Sequence, residues 1–144
     1  MSMRLTKAST KGFSLIEVLI AIVILAVGLL GIAGLQVIGL QSNHSSYMRS
    51  QASLQIAAIF DRMRANRTQA LNDAYDVSLG TTPSGTSLAD QDLAAWKNEL
   101  AVLFPSGDGS VACNMGMCTV TVQWVDLQDD GSRSNRQFVM VSQL

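Results

Sequence analysis

From Phe13 to Leu35 every residue is apolar or small except one, and the exception is an acid, Glu17. At about 1.5 Å of rise per residue the run makes roughly 34 Å of helix, enough to cross a hydrocarbon core about 30 Å thick. Read alone, it is a single-pass membrane anchor. Glu17 fits that reading poorly. An ionised carboxylate at the centre of a span costs about 2.5–3.5 kcal/mol, and less near the interface. Glu17 lies within two turns of one end, where its carboxylate reaches the head-groups, so position alone marks it as tolerated. What precedes it changes the balance.

Residues Met1 to Gly12 carry Arg4, Lys7 and Lys11 and no acid. A secretory signal is cut after its apolar stretch, but here a Gly12-Phe13 junction comes before the stretch. Cutting there removes the cations and leaves the apolar segment on the mature chain. Basic residues on the leader side alone place the N-terminus in the cytoplasm and the remainder across the membrane. The new amino terminus on Phe13 is a cation. An acid four residues later can pair with the N-terminus of a neighbouring copy and fix register, because an unpaired charge in low dielectric is costly.

The segment Gly12-Phe13-Ser14-Leu15-Ile16-Glu17-Val18-Leu19-Ile20-Ala21 resembles the class III signal of type IV pilins and type II secretion pseudopilins. The resemblance implies that a membrane prepilin peptidase cuts after Gly12 and N-methylates Phe13, and that Glu17 docks each subunit during assembly. It implies an α+β fold, with a long N-terminal helix, first transmembrane and then amphipathic, packed on a small antiparallel sheet. The implied partners are other major and minor pilins, the inner-membrane assembly machinery and a tip adhesin. The implied location is the inner membrane, with a periplasmic head, followed by the pilus on the cell surface. In Val27–Gln36, Gly28, Gly31 and Gly34 share one side of the helix. Small residues let membrane helices approach closely. Each glycine also lowers helix propensity by about 1 kcal/mol against alanine, so the stretch can unwind locally as a subunit leaves lipid for a filament. This run is similar to that of a group of minor pilins.

The chain has 144 residues, a net charge of −1 and two cysteines. Loss of the leader removes three cations and leaves an acidic chain, which argues against nucleic-acid binding through a basic patch. Roughly 110 residues lie beyond the span, enough for one small domain with a modest core. The single histidine, His44, leaves no room for a His-rich metal site and reads as a solvated helix residue rather than a member of a Ser-His-Asp triad, so no enzyme, metal or cofactor is expected. Gly28-x-x-Gly31-x-x-Gly34 is no nucleotide fingerprint, since it lies inside a span. Asp126, Asp129 and Asp130 invite a calcium reading, but their spacing does not fit an EF-hand loop and turn chemistry accounts for them. Cys113 and Cys118 bracket four residues, one of them glycine, which suits a small disulfide loop in an oxidising compartment. Free thiols or half of a zinc site are the alternatives. Many pilins carry a C-terminal disulfide, so the resemblance agrees with the bridge.

Four regions follow: a leader over 1–12, an assembly helix over 13–35, its amphipathic continuation over 36–72 and a head over 73–144. Met48, Ala52, Ile56, Ile59, Phe60 and Met63 recur at helical spacing, with Asp61, Arg62, Arg64 and Arg67 on the other side. Residues 72–86 read as a loop too polar for the core. Ser87-Leu88-Ala89-Asp90 resembles a capping box, and Leu93, Trp96, Leu100 and Leu103 form the stripe of a second helix. Strands are expected at 111–113, 119–125 and 137–143, with a turn at Asp129-Asp130-Gly131. Val120, Val122 and Trp124 should share a face, and Arg133 and Arg136 blunt an edge. The expected function is a minor pilin that primes or tips a type IV pilus. The alternative is a pseudopilin of a type II secretion system. A membrane-anchored enzyme lacks a catalytic constellation, and a DNA-uptake pilin gets no support from an acidic chain.

Overall fold

The computed structural model describes residues 12–127 and 132–144. The chain divides between Asn43 and His44 into two compact units, and helix α1 (Leu15–Ala65) contributes to both. In the first unit the described residues are helical from Leu15 onward and exposed on every side. The helix passes unbroken through Gly28, Gly31 and Gly34, and a Cβ added at any of the three would meet nothing within 4 Å. It is long and apolar enough to cross a membrane.

The second unit has its own core. The α1 stripe supplies buried Ala52, Ile56, Ile59, Phe60 and Met63, with Met48 half-buried beside them. The helix stops at Ala65 and does not run on to Asn72. Asn66 leaves the helical region with ψ near 45°, the short α2 (Arg67–Ala70) follows, and Asp73 turns the chain at φ 59°. The next segment departs from the expected polar loop. Tyr75 is fully buried and Val77 nearly so. Val77 bridges Val111 through two backbone hydrogen bonds of 2.9 Å.

Helix α3 (Leu88–Leu103) begins at the expected capping box, in which Ser87 Oγ accepts from the Asp90 N–H and the Asp90 carboxylate accepts from the Ser87 N–H. Its buried face is Ala89, Leu93, Trp96 and Leu100. Leu103 does not complete the stripe and remains exposed. Phe104 takes that place, because the chain turns extended there and drops the ring into the core, 5.5 Å from the ring of Trp124.

Strands β1 (Asp108–Asn114), β2 (Met117–Leu127) and β3 (Arg133–Gln143) form one antiparallel sheet in the order β1-β2-β3. All three run longer than the alternating apolar segments suggest, because ladder pairing carries polar flanks along with it. Cys118, Val120, Val122 and Trp124 are buried on one face of β2 and join the α1 and α3 side chains in a single cluster. Gly109 permits β1 to pass directly over the Trp96 ring, where any Cβ would collide with it. At the β1–β2 turn both Met115 and Gly116 have positive φ, the signature of a two-residue hairpin connection. The expected turn at Asp129-Asp130-Gly131 lies outside the described residues.

Candidate functional site

The leader cations Arg4, Lys7 and Lys11 lie outside the described residues. At the junction Gly12, Phe13 and Ser14 precede the helix, and Phe13 is 83 % exposed. A peptide bond in a non-helical, open segment is accessible to a protease, whereas one inside a helix is tied into the hydrogen-bond ladder. Ser14 starts the helix: its carbonyl accepts from the N–H groups of Glu17 (3.0 Å) and Val18 (3.3 Å), and its Oγ lies 3.4 Å from the Ile16 N–H.

Glu17 therefore sits in the first turn of α1. An acid there meets the positive end of the helix dipole, a favourable placement. The carboxylate is exposed, and among the described residues no cation lies within ion-pair distance of it. From Phe13 to Met48 it is the only charged side chain. The arrangement is thus an open, non-helical Gly12-Phe13 junction, an exposed Phe13, and a turn away a carboxylate with no ion-pair partner among the described residues.

Within the head, Cys113 and Cys118 are joined as a disulfide across the β1–β2 hairpin. Among the described residues no group of three or more His, Cys, Asp or Glu gathers as a metal site. Asp126 instead faces Arg136 at 3.6 Å, and Asp129 and Asp130 lie outside the described residues. His44 is exposed.

Two polar clusters were not apparent in the sequence. Arg62, expected on the solvent side, reaches α3: it donates to the Asp92 carbonyl and to Glu99, both at 3.0 Å. Beside it the Tyr75 hydroxyl donates to Asp92 at 2.6 Å. Burial, followed by that hydrogen bond, pushes the phenol up to about 12, so it remains a donor. Lys97 clamps the loop before α3, donating to the carbonyls of Ser78 (2.9 Å) and Thr81 (2.6 Å) and pairing with Asp108 at 2.9 Å. The sequence signal for the first cluster was Tyr75, which stands with Val77 and Leu79 in a largely polar stretch. Both clusters tie the head together and leave the N-terminal segment untouched.

The family described as the prokaryotic N-terminal methylation motif matches residues 7–33. This chain carries a prepilin-type N-terminal methylation motif. No curated protein and no solved structure matches it. The motif together with a long apolar N-terminal helix and a three-stranded antiparallel sheet makes this a type IV pilin-like or pseudopilin protein of α+β fold. Proteins of this kind are structural and not enzymes. The motif implies processing by a prepilin peptidase, assembly with pilins, and a route through the membrane into a pilus or pseudopilus.

Proposed function

We propose that this chain is a minor pilin that primes the assembly of a type IV pilus or sits at its tip, resembling the PilV group of type IV pilus modification proteins through its Val27–Gln36 run. One observation carries the reading. Glu17 is the sole charge in a long apolar segment and stands five residues beyond Gly12. Hydrolysis after Gly12 removes Arg4, Lys7 and Lys11 and exposes an ammonium group on Phe13. Methylation of that amine keeps its positive charge. In the membrane the charge seeks an anion, and Glu17 of an adjacent subunit supplies one, since a carboxylate left unpaired in low dielectric is penalised. The pair sets the axial offset between subunits, and Gly28, Gly31 and Gly34 let neighbouring helices approach closely. The cytoplasmic N-terminus, the periplasmic head, the inner-membrane assembly machinery and a tip adhesin as partner belong to the same proposal.

Mass spectrometry of the mature protein should find the mass of residues 13–144 with one added methyl. A chain that still begins at Met1 in cells with a working peptidase rejects the processing. Glu17→Ala should insert normally yet fail to enter filaments, and normal incorporation removes the role given to Glu17. Deletion should cost surface pili and motility. Loss of protein secretion with pili intact would instead make the chain a pseudopilin.

A further inference from the structure

Among the described residues the sheet order leaves β3 with one paired side. Cys113 and Cys118 face each other with Cα atoms 4.1 Å apart, the close spacing of a non-hydrogen-bonded antiparallel pair. The alternation is fixed from there. Odd-numbered residues of β2 exchange backbone hydrogen bonds with β1, and even-numbered residues exchange them with β3. By the register, the β3 residues engaged with β2 are Ser134, Arg136, Phe138, Met140 and Ser142. The N–H and C=O groups of Asn135, Gln137, Val139 and Val141 point the other way, and among the described residues none of them has a backbone partner on that side.

Natural sheets blunt such edges with charge, proline, a bulge or brevity. This edge has none of these over residues 137–143. The strand is eleven residues long, and its register with β2 runs without a bulge from Met117↔Gln143 to Leu127↔Arg133. The segment Gln137–Gln143 holds no charge and no proline. Of the two arginines expected to blunt the edge, Arg133 only opens the strand and Arg136 is drawn to Asp126. Val139 and Val141 are 51 % and 56 % exposed.

We propose that this edge pairs antiparallel with β3 of a second copy of the chain, joining two three-stranded sheets into one of six strands. The edge complements itself. About a two-fold axis at Val139, Gln137 faces Val141, Asn135 faces Gln143, and Val139 faces its own counterpart. Each of these is a hydrogen-bonded pair, because outward-pointing residues meet outward-pointing residues. No like charges meet: Arg136 falls opposite Ser142, and Arg133 lies outside the paired stretch. The other edge is less open, since Val111 of β1 is already engaged by Val77 in both directions. The pairing is read from the head alone and stands or falls apart from the minor-pilin reading.

Amide hydrogen exchange on the purified full chain in detergent micelles tests it, at low and high protein concentration. The Val139 and Val141 amides should slow by about tenfold or more at high concentration, while the Val120 and Val122 amides stay protected throughout. Val139→Pro deletes an N–H that points away from β2, so the internal ladder survives and the concentration-dependent protection at Val141 should vanish. If the proline unfolds the head, Val139→Lys decides, since a charged edge must also abolish the effect. Val139 and Val141 amides that exchange equally fast at every concentration overturn the proposal. So does protection at Val141 that persists in Val139→Lys.

Discussion

Residues 15–40 and 48–63 share one helix, yet the first stretch is exposed along its whole length and the second buries a full face. Ile24 is 66 % exposed, whereas Ile56 and Ile59 are wholly buried. Apolar content does not separate them, because the exposed half is the richer. Pattern does. The N-terminal half is apolar on every side, so no single partner face within a small chain could cover it, and its burial has to come from lipid or from neighbouring subunits. The C-terminal half has a stripe, and a stripe can be covered by one small head. The same backbone thus serves two solvents.

The largest expected effect on that contrast is Trp96→Ala. It removes the ring beneath Gly109 and the hydrogen bond from Nε1 to the Gln55 carbonyl (3.0 Å). The head should lose about 3–5 kcal/mol, read as a lowered urea midpoint of the full chain. Ile24→Ala, a comparable truncation in the other half, should leave that midpoint unchanged. If both variants lowered it equally, the two halves would not be energetically separate.

A smaller effect is expected at the hairpin. Replacing Cys113 and Cys118 together by serine frees a short loop, and loop-closure entropy puts the loss at roughly 2 kcal/mol. That loss should appear in the head transition, with the helicity of the N-terminal half unchanged in circular dichroism. An unaltered midpoint would show that sheet pairing alone holds the hairpin.

The smallest effect is a pH dependence confined to the head. Burial acts to raise the Asp108 carboxyl, but hydrogen bonds from the Gly80 N–H, Lys97 and the Gly109 N–H, with the Lys97 charge, bring it below the ordinary carboxylate value. Its stabilising contribution is therefore complete above the ordinary range and is lost as pH falls through the lowered value. Asp76 goes the other way. Burial raises it, against a hydrogen bond from the Cys113 N–H and with Asp73 adding to the rise. Its ionised form is disfavoured in the fold, so its contribution is largest in acid and declines as pH rises through the ordinary range to the raised value. Asp108→Asn should flatten the acid limb of stability against pH, and Asp76→Asn should steepen it. Shifts of the same sign in both variants would contradict these assignments.

The candidate site was legible because its signal is local and covalent: a glycine, an aromatic residue and an acid at fixed offsets beside an apolar run. The capping box at Ser87 and the alternation of Val120, Val122 and Trp124 were legible for the same reason, since each depends only on near neighbours. Leu103 and Phe104 could not be ranked that way, because helical spacing favours Leu103 and only the extended backbone at Phe104 turns its ring inward. Tyr75 and Val77 sit in a polar stretch and are buried because β1 and α3 close over them. The sequence spacing puts Arg62 on the solvent side, and only the placement of α3 brings Glu99 and the Asp92 carbonyl within its reach.

The sequence by itself determined that a basic stretch precedes a long apolar run, that this run is apolar on every side, and that it holds a single acid, because these follow from the order and polarity of adjacent residues. The tertiary structure alone decided which cations bind, which loop residues become core and which strand is left with an open edge. Those outcomes depend on contacts between segments far apart in the chain, and no local pattern of polarity encodes them.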